Sequence, residues 1–303
     1  GLAVLGLARR RPDILHLNVA GRGSTLRKLV LAEAARRLRI PTIIHLHDYD
    51  YAQDLAARPP WLRRRICAMF QLAVQVIVLG QRDRATIEQE LGVPPERVTV
   101  LHNAVPDPGP PPVRRTRSGP VRLVFLGHLD DRKGVPELLD ALAGPGLRER
   151  DWLLVMAGGG ETARFEQQAR ESGLAARITF TGWLPHERVY ELCREADVFV
   201  LPSHAEGQAM SLLEAMAHGL AIVTTPVGAH LEAVDDGQEA LIVPPGDVAA
   251  LATALERLID DSDLRATLGN AARLRYCCNF DAEQYARTLG EILCRVASEM
   301  PSR

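Results

Sequence analysis

The chain has 303 residues, 47% of them hydrophobic, with 36 Lys+Arg against 38 Asp+Glu and a formal net charge of −2. So balanced a charge does not point to nucleic acid, no apolar run approaches the roughly 20 residues of a membrane span, and the length suits two cores at roughly 150 residues each. Five cysteines (Cys67, Cys193, Cys277, Cys278 and Cys294) make no Cys-x2-Cys pair and lie near no histidine set of zinc spacing, so neither a metal centre nor a disulfide framework is expected and a reducing cytoplasm is the simplest setting.

Gly1–Arg11 reads as the end of a helix leading into a first strand, Ile14–Leu17. Short, apolar, β-branched runs then predict strands at Thr42–Leu46, Val76–Leu79, Val98–Leu101, Arg122–Leu126, Leu153–Ala157, Ile178–Phe180, Val198–Leu201, Ile222–Thr224 and Ala240–Val243, with helical patterns in most of the intervals. That alternation predicts an α/β protein with two doubly wound parallel sheets. Residues 104–120, rich in proline and without periodicity, read as a linker, giving domains 1–118 and 119–278 and a terminal helix from about Ala282 to Glu299 within 279–303. Residues 1–118 hold 19 basic and 10 acidic side chains, so the first domain is basic and the second acidic.

In such sheets ligands bind beyond the carboxyl ends of the strands. His47, Gly80, Asn103, Gly127, Gly158, Gly182 and Glu206 all fall just after a predicted strand. Glu206 and Glu214 lie eight positions apart, one in a strand-to-helix loop and one in the first turns of the helix that ends near Gly219. Between them Gly207, Gln208, Ala209, Met210 and Ser211 form a helix N-terminus, where unpaired N–H groups and the dipole favour an anion such as a diphosphate. A carboxylate on each side of that cradle can accept hydrogen bonds from sugar or ribose hydroxyls; on spacing alone, an ordinary loop acid and an exposed helix residue remain the alternative.

A second strand, loop and helix unit runs through Gly127-His128-Leu129-Asp130-Asp131-Arg132-Lys133-Gly134. Lys28 and Lys133 are the only lysines, so a lysine here suggests a compact point charge, as at a phosphate, against the alternative of a solvated surface residue. Gly158-Gly159-Gly160 also follows a strand, but Glu161-Thr162-Ala163 lacks the third glycine of a nicotinamide site. Period-2 geometry puts His45 and His47 on one side of their strand. Arg22, Arg27, Lys28, Arg36, Arg37 and Arg39, then Arg58, Arg63, Arg64 and Arg65 beside Trp61, Ile66, Met69 and Phe70, suggest either a helix lying on an anionic membrane surface or one whose apolar side is core.

The Gly-His-Leu-x3-Lys-Gly loop, the Glu-x7-Glu pair, Val227-Gly228 and Val243-Pro244-Pro245-Gly246-Asp247, in this order, resemble glycosyltransferase family 4. The resemblance implies the GT-B fold, two Rossmann-like domains facing a cleft, and a retaining, metal-independent transferase that needs no cofactor and moves a sugar from a nucleotide-sugar, with UDP or GDP the expected carrier. It implies catalytic roles for His47, Lys133 and Glu206. Donor contacts are implied at Gly127, His128, Arg132, Lys133, Gly158, Gly182, Trp183, Glu206 to Ser211 and Glu214, and acceptor-side contacts at His47, Asp48 and Asn103. The implied acceptor is a glycan or lipid-linked molecule in bacterial surface polysaccharide or glycolipid synthesis, with the enzyme cytoplasmic or peripheral on the inner membrane face. Three departures stand out: His128 replaces the usual arginine, Asp48 and Ala104 replace glycines, and the family's first strands have no counterpart at the front, as if the first domain were truncated. A non-catalytic nucleotide-sugar binding module or inactive fragment, and a nucleotide-sugar epimerase of the same fold, are the alternative functions.

Overall fold

The computed structural model describes residues 12–48, 50–111 and 119–299. The helix read into Gly1–Arg11 and part of the proline-rich segment, 112–118, lie outside the described residues. The chain divides into two compact units, residues 1–103 with 283–303, and residues 104–282.

Unit 1 is built on four parallel strands, β1 (Leu15–Val19), β2 (Thr42–Leu46), β3 (Gln75–Val78) and β4 (Val98–Val100), in the order β1-β2-β3-β4. The sequence Thr-Ile-Ile-His-Leu of β2 is buried at every position, as a sheet covered on both faces requires. Its alternation still sorts the side chains. Ile43 and Ile77 pack with Ile292 and Val296 of the helix Ala282–Ser298, whereas Ile44, Val76 and Val78 pack on the other face with Ile66, Met69 and Phe70 of the helix Pro60–Gln71. That second helix starts with Pro60 at its first position and carries Leu62, Ile66, Met69 and Phe70 as a single buried stripe. Its apolar side is therefore core, with Arg63, Arg64 and Arg65 on the opposite, exposed side and Trp61 62% exposed at its start.

Unit 2 is a six-stranded parallel sheet made of β5 (Val121–Leu126), β6 (Trp152–Ala157), β7 (Ile178–Gly182), β8 (Val198–Leu201), β9 (Ala221–Thr224) and β10 (Leu241–Ile242). The order β10-β9-β8-β5-β6-β7 reverses direction between β5 and β8, which pair through Leu123 with Val198 and Val124 with Phe199. In open α/β sheets the carboxyl ends of strands at such a reversal are where ligands bind. Asp247, the last residue of the Val-Pro-Pro-Gly-Asp run, caps the helix Val248–Asp260 by accepting from the Ala250 N–H at 2.9 Å.

The units divide at 103/104 and 282/283 rather than at the proline-rich stretch. Val105 is 2% exposed within the unit 2 core, pairs in parallel with Asp281, and its carbonyl accepts from the Tyr276 hydroxyl at 2.9 Å. Arg273 grips Asp107 through two hydrogen bonds of 2.7 and 3.0 Å. Proline content made residues 104–111 read as linker, yet one buried valine and these contacts fasten them to unit 2.

Replacing Ile292, 6% exposed between Ile43 and Ile77, with alanine removes a core side chain from one face of β2 and β3. The expected cost is about 2–5 kcal/mol, measured as a lower urea midpoint at unchanged m, with faster amide exchange in β2 and β3.

Candidate functional site

The polar side chains at the carboxyl ends of β5 and β8 converge. Asp130 accepts from the Lys133 N–H at 2.9 Å and so caps the short turn Asp131–Lys133, and Gly134 follows with φ 72°. A Cβ on Gly134 would stand 2.1 Å from the Pro202 carbonyl oxygen, so a glycine is needed for the β5 loop to press against the β8 loop. The two loops are also laced by the His204 N–H donating to the Arg132 carbonyl and by Arg132 Nη1 donating to the Ala205 carbonyl, both at 2.8 Å.

Within this clasp Lys133 Nζ lies 2.5 Å from Glu206 Oε1, with Arg132 Nη1 3.6 Å from the same oxygen. Lys133 is 9% exposed and Glu206 7%, which excludes the solvated-lysine and loop-acid readings. The Ser203 hydroxyl donates to Glu206 Oε1 at 2.8 Å, and Thr225 Oγ1 donates to the Ser203 carbonyl at 2.6 Å. A buried ion pair held by further hydrogen bonds is rigid, and removing either partner strands a charge. An ammonium has three donor hydrogens, so Lys133 keeps donors beyond the one directed at Glu206.

Glu214 sits on the helix Met210–Ala217 and faces a different set of side chains. Its Oε1 is 3.9 Å from His186 Nδ1, and burial pushes its carboxyl up from the ordinary carboxylate range against the opposing pull of His186. The His186 and Tyr190 rings are 4.3 Å apart. The helix Met210–Ala217 begins at Ala209 without a side-chain cap; Gln208 and Ala209 are buried, Gly207 and Ser211 half-buried and Met210 exposed. Gly127, Gly158 and Gly182 stack at the ends of β5, β6 and β7, with the Gly158 N–H donating to Gly182 O at 2.9 Å and the Leu129 N–H donating to Gly159 O at 2.7 Å. The triple glycine thus serves backbone contact between neighbouring loops. His128 is exposed, and Trp183 is 77% exposed.

In unit 1 the His47 N–H donates to Val19 O at 2.7 Å at the end of β2. The His45 and His47 rings lie 4.0 Å apart, and His16 stacks on His45 at 5.7 Å. Asp48 Oδ1 accepts from the Asp50 N–H at 2.9 Å, and Asn103 is half-buried after β4. Among the described residues no group of three or more His, Cys, Asp or Glu is placed to hold a metal ion, and no helix is long and apolar enough to cross a membrane.

Residues 112–275, which hold the whole clasp, match the family model "Glycosyl transferases group 1", and residues 3–107 match "Glycosyltransferase Family 4". The chain belongs to glycosyltransferase family 4. Glycogen synthase of Mycobacterium tuberculosis is 35% identical over 199 residues, covering 64% of this chain and 48% of that protein. The chain spans about half the length of that relative. Among solved structures, sucrose-phosphate synthase from Thermosynechococcus elongatus superposes with a TM-score of 0.80 at 23% identity, covering 98% of this chain and 76% of that one. HepE of Anabaena, solved in complex with UDP, gives 0.80 at 20% identity, covering 97% and 81%. These likenesses show the GT-B fold, two Rossmann-like parallel-sheet domains.

Within this family member, the sequence pattern located the Glu206 and Lys133 loops but missed four participants: Ser203, His186, His204 and His230. Ser203 and His204 lie just before Glu206 in the same loop, where serine is weak as a signal and His204 meets Glu137, 2.7 Å away, only across the fold. His186 opens a helix after Leu184-Pro185, and His230 follows Val227-Gly228-Ala229.

Burial holds His16, His45 and His47 below their ordinary range, His45 down to about 3 with the charges of His47 and His16 adding to its desolvation. Their neutral forms are favoured in the folded state, so the stability they contribute is fully present above about pH 6.5 and lost as pH falls towards about 3. Urea midpoints are expected to drop between pH 7 and pH 4, and His45→Leu should flatten that dependence; an unaltered slope in the variant would refute the assignment.

Proposed function

We propose that this chain is a retaining glycosyltransferase that moves a sugar from a nucleotide-sugar to an acceptor hydroxyl. The observation that carries the proposal is the buried Lys133–Glu206 pair at the strand-order reversal between β5 and β8, the place where open α/β sheets bind nucleotides. Solution of the similarly folded HepE with UDP supports a nucleotide ligand, with UDP or GDP the expected carrier.

In this reading the donor diphosphate meets the remaining donors of Lys133 and the N-terminus of the helix Met210–Ala217, with Arg132 adding positive charge. Glu206 accepts from the transferred sugar's hydroxyls and Glu214 from the ribose. Gly127, Gly158, Gly182 and Trp183 line the nucleotide side, while His47, Asp48 and Asn103 serve the acceptor. The bond from the anomeric carbon to the diphosphate oxygen breaks, the acceptor oxygen bonds to that carbon on the same face, and its proton passes to the departing phosphate. Charge neutralisation falls to side chains, so the proposed reaction is metal-independent.

The exposed Arg63, Arg64 and Arg65 beside Trp61 suit a lipid-linked acceptor at an anionic membrane, as in bacterial surface glycan or glycolipid synthesis. Co-sedimentation with vesicles containing phosphatidylglycerol, but not with phosphatidylcholine alone, is the expected outcome. Binding indifferent to lipid charge would remove this part of the reading.

Thermal-shift titration with UDP, GDP and ADP and their sugar conjugates is expected to show stabilisation by one base. Once the acceptor is found, Lys133→Ala should lower kcat by about 10²-fold or more. Binding without any turnover would favour a binding module, and donor conversion without acceptor an epimerase.

A further inference from the structure

His230 lies in the short helix His230–Ala233 after β9 and is fully buried. Its Nδ1 stands 3.1 Å from the Thr225 carbonyl oxygen and 3.2 Å from Thr224 Oγ1. A carbonyl only accepts, so Nδ1 carries the proton and Nε2 is left as a bare lone pair. That Nε2 is buried and has no hydrogen-bond partner among the described residues. Leaving a buried acceptor unpaired is costly, and such atoms in native proteins call for an explanation.

The surroundings supply one. Two residues earlier, Gly228 has φ 56°, and a Cβ there would stand 2.2 Å from Glu206 O and 2.1 Å from Gly207 O. The Ala229 N–H donates to Gly207 O at 2.7 Å. The segment carrying His230 is therefore clamped to the back of the Glu206 loop, and Thr225, which accepts from His230, in turn donates to the Ser203 carbonyl, whose own hydroxyl holds Glu206. The ring lies within electrostatic reach of both Glu206 and Lys133, and burial holds it below the usual histidine range, so the lone pair persists at neutral pH.

We infer that His230 Nε2 is a sugar-recognition acceptor that takes a hydrogen bond from a hydroxyl of the transferred sugar beside Glu206. The inference rests on the reading of the Lys133–Glu206 clasp as the donor site. It assigns to His230 a contact with the sugar and none with the nucleotide.

The two isosteric halves of the imidazole separate this from a structural role. Asparagine keeps an N–H where Nδ1 donates to Thr225 and removes the acceptor at the Nε2 position, whereas glutamine can place its Oε1 there. Calorimetric titration of the parent chain, His230→Asn and His230→Gln would use UDP and UDP-glucose, and GDP and GDP-mannose. His230→Asn is expected to bind the sugar conjugate about tenfold more weakly while binding the nucleoside diphosphate as the parent does, and His230→Gln to recover most of the loss. Equal weakening for nucleotide and conjugate, or no change for either, would overturn the role. A parent chain that binds none of the four ligands would overturn the donor-site reading itself.

Discussion

A lysine ammonium and a glutamate carboxylate meet 2.5 Å apart where the strand order reverses between β5 and β8, and the local structure is arranged around keeping them there. Burying both charges is costly unless each is paired and further hydrogen-bonded. The surrounding contacts answer that requirement: Ser203 donates to the carboxylate, Arg132 approaches it, Asp130 fixes the turn that presents the lysine, and Gly134 lets the two loops touch. Strand order brings the two loops together, and the ion pair joins them.

The two units handle titratable groups in opposite ways. Unit 2 buries opposite charges together, so each neutralises the other. Unit 1 gathers three histidines along β1 and β2, His45 buried and His16 and His47 half-buried, and desolvation favours their neutral rings. A neutral imidazole beside another can accept or pass a proton, which a buried ammonium cannot do without losing its partner.

Much of this was legible in the residues. The strands carry short β-branched runs that a doubly covered parallel sheet must bury, and the runs at Thr42–Leu46 and Val198–Leu201 coincide with β2 and β8 residue for residue. The Glu206 and Lys133 loops were visible because loop position after a strand is a local property. Pairings across the fold were not visible: nothing near Lys133 in sequence announces Glu206, and nothing near Glu214 announces His186. The segment 104–111 misled for the same reason, since its proline content is local while the burial of Val105 under Tyr276 depends on residues more than 170 positions away. The arginine-bearing helix 60–71 was ambiguous because one stripe of Leu62, Ile66, Met69 and Phe70 fits a core as well as a bilayer surface, and only the β2 and β3 neighbours decide.

The parallel bridge between Val105 and Asp281 has a topological consequence. Residues 104–282 begin and end side by side, hydrogen-bonded to each other, so unit 2 is a stretch of chain whose two ends meet. Elements whose ends meet are those that tolerate transplantation and circular permutation. With a short linker joining Asp281 to Val105 and new termini opened on a surface loop, the six strands of unit 2 and the Lys133–Glu206 pair would stay on one continuous chain.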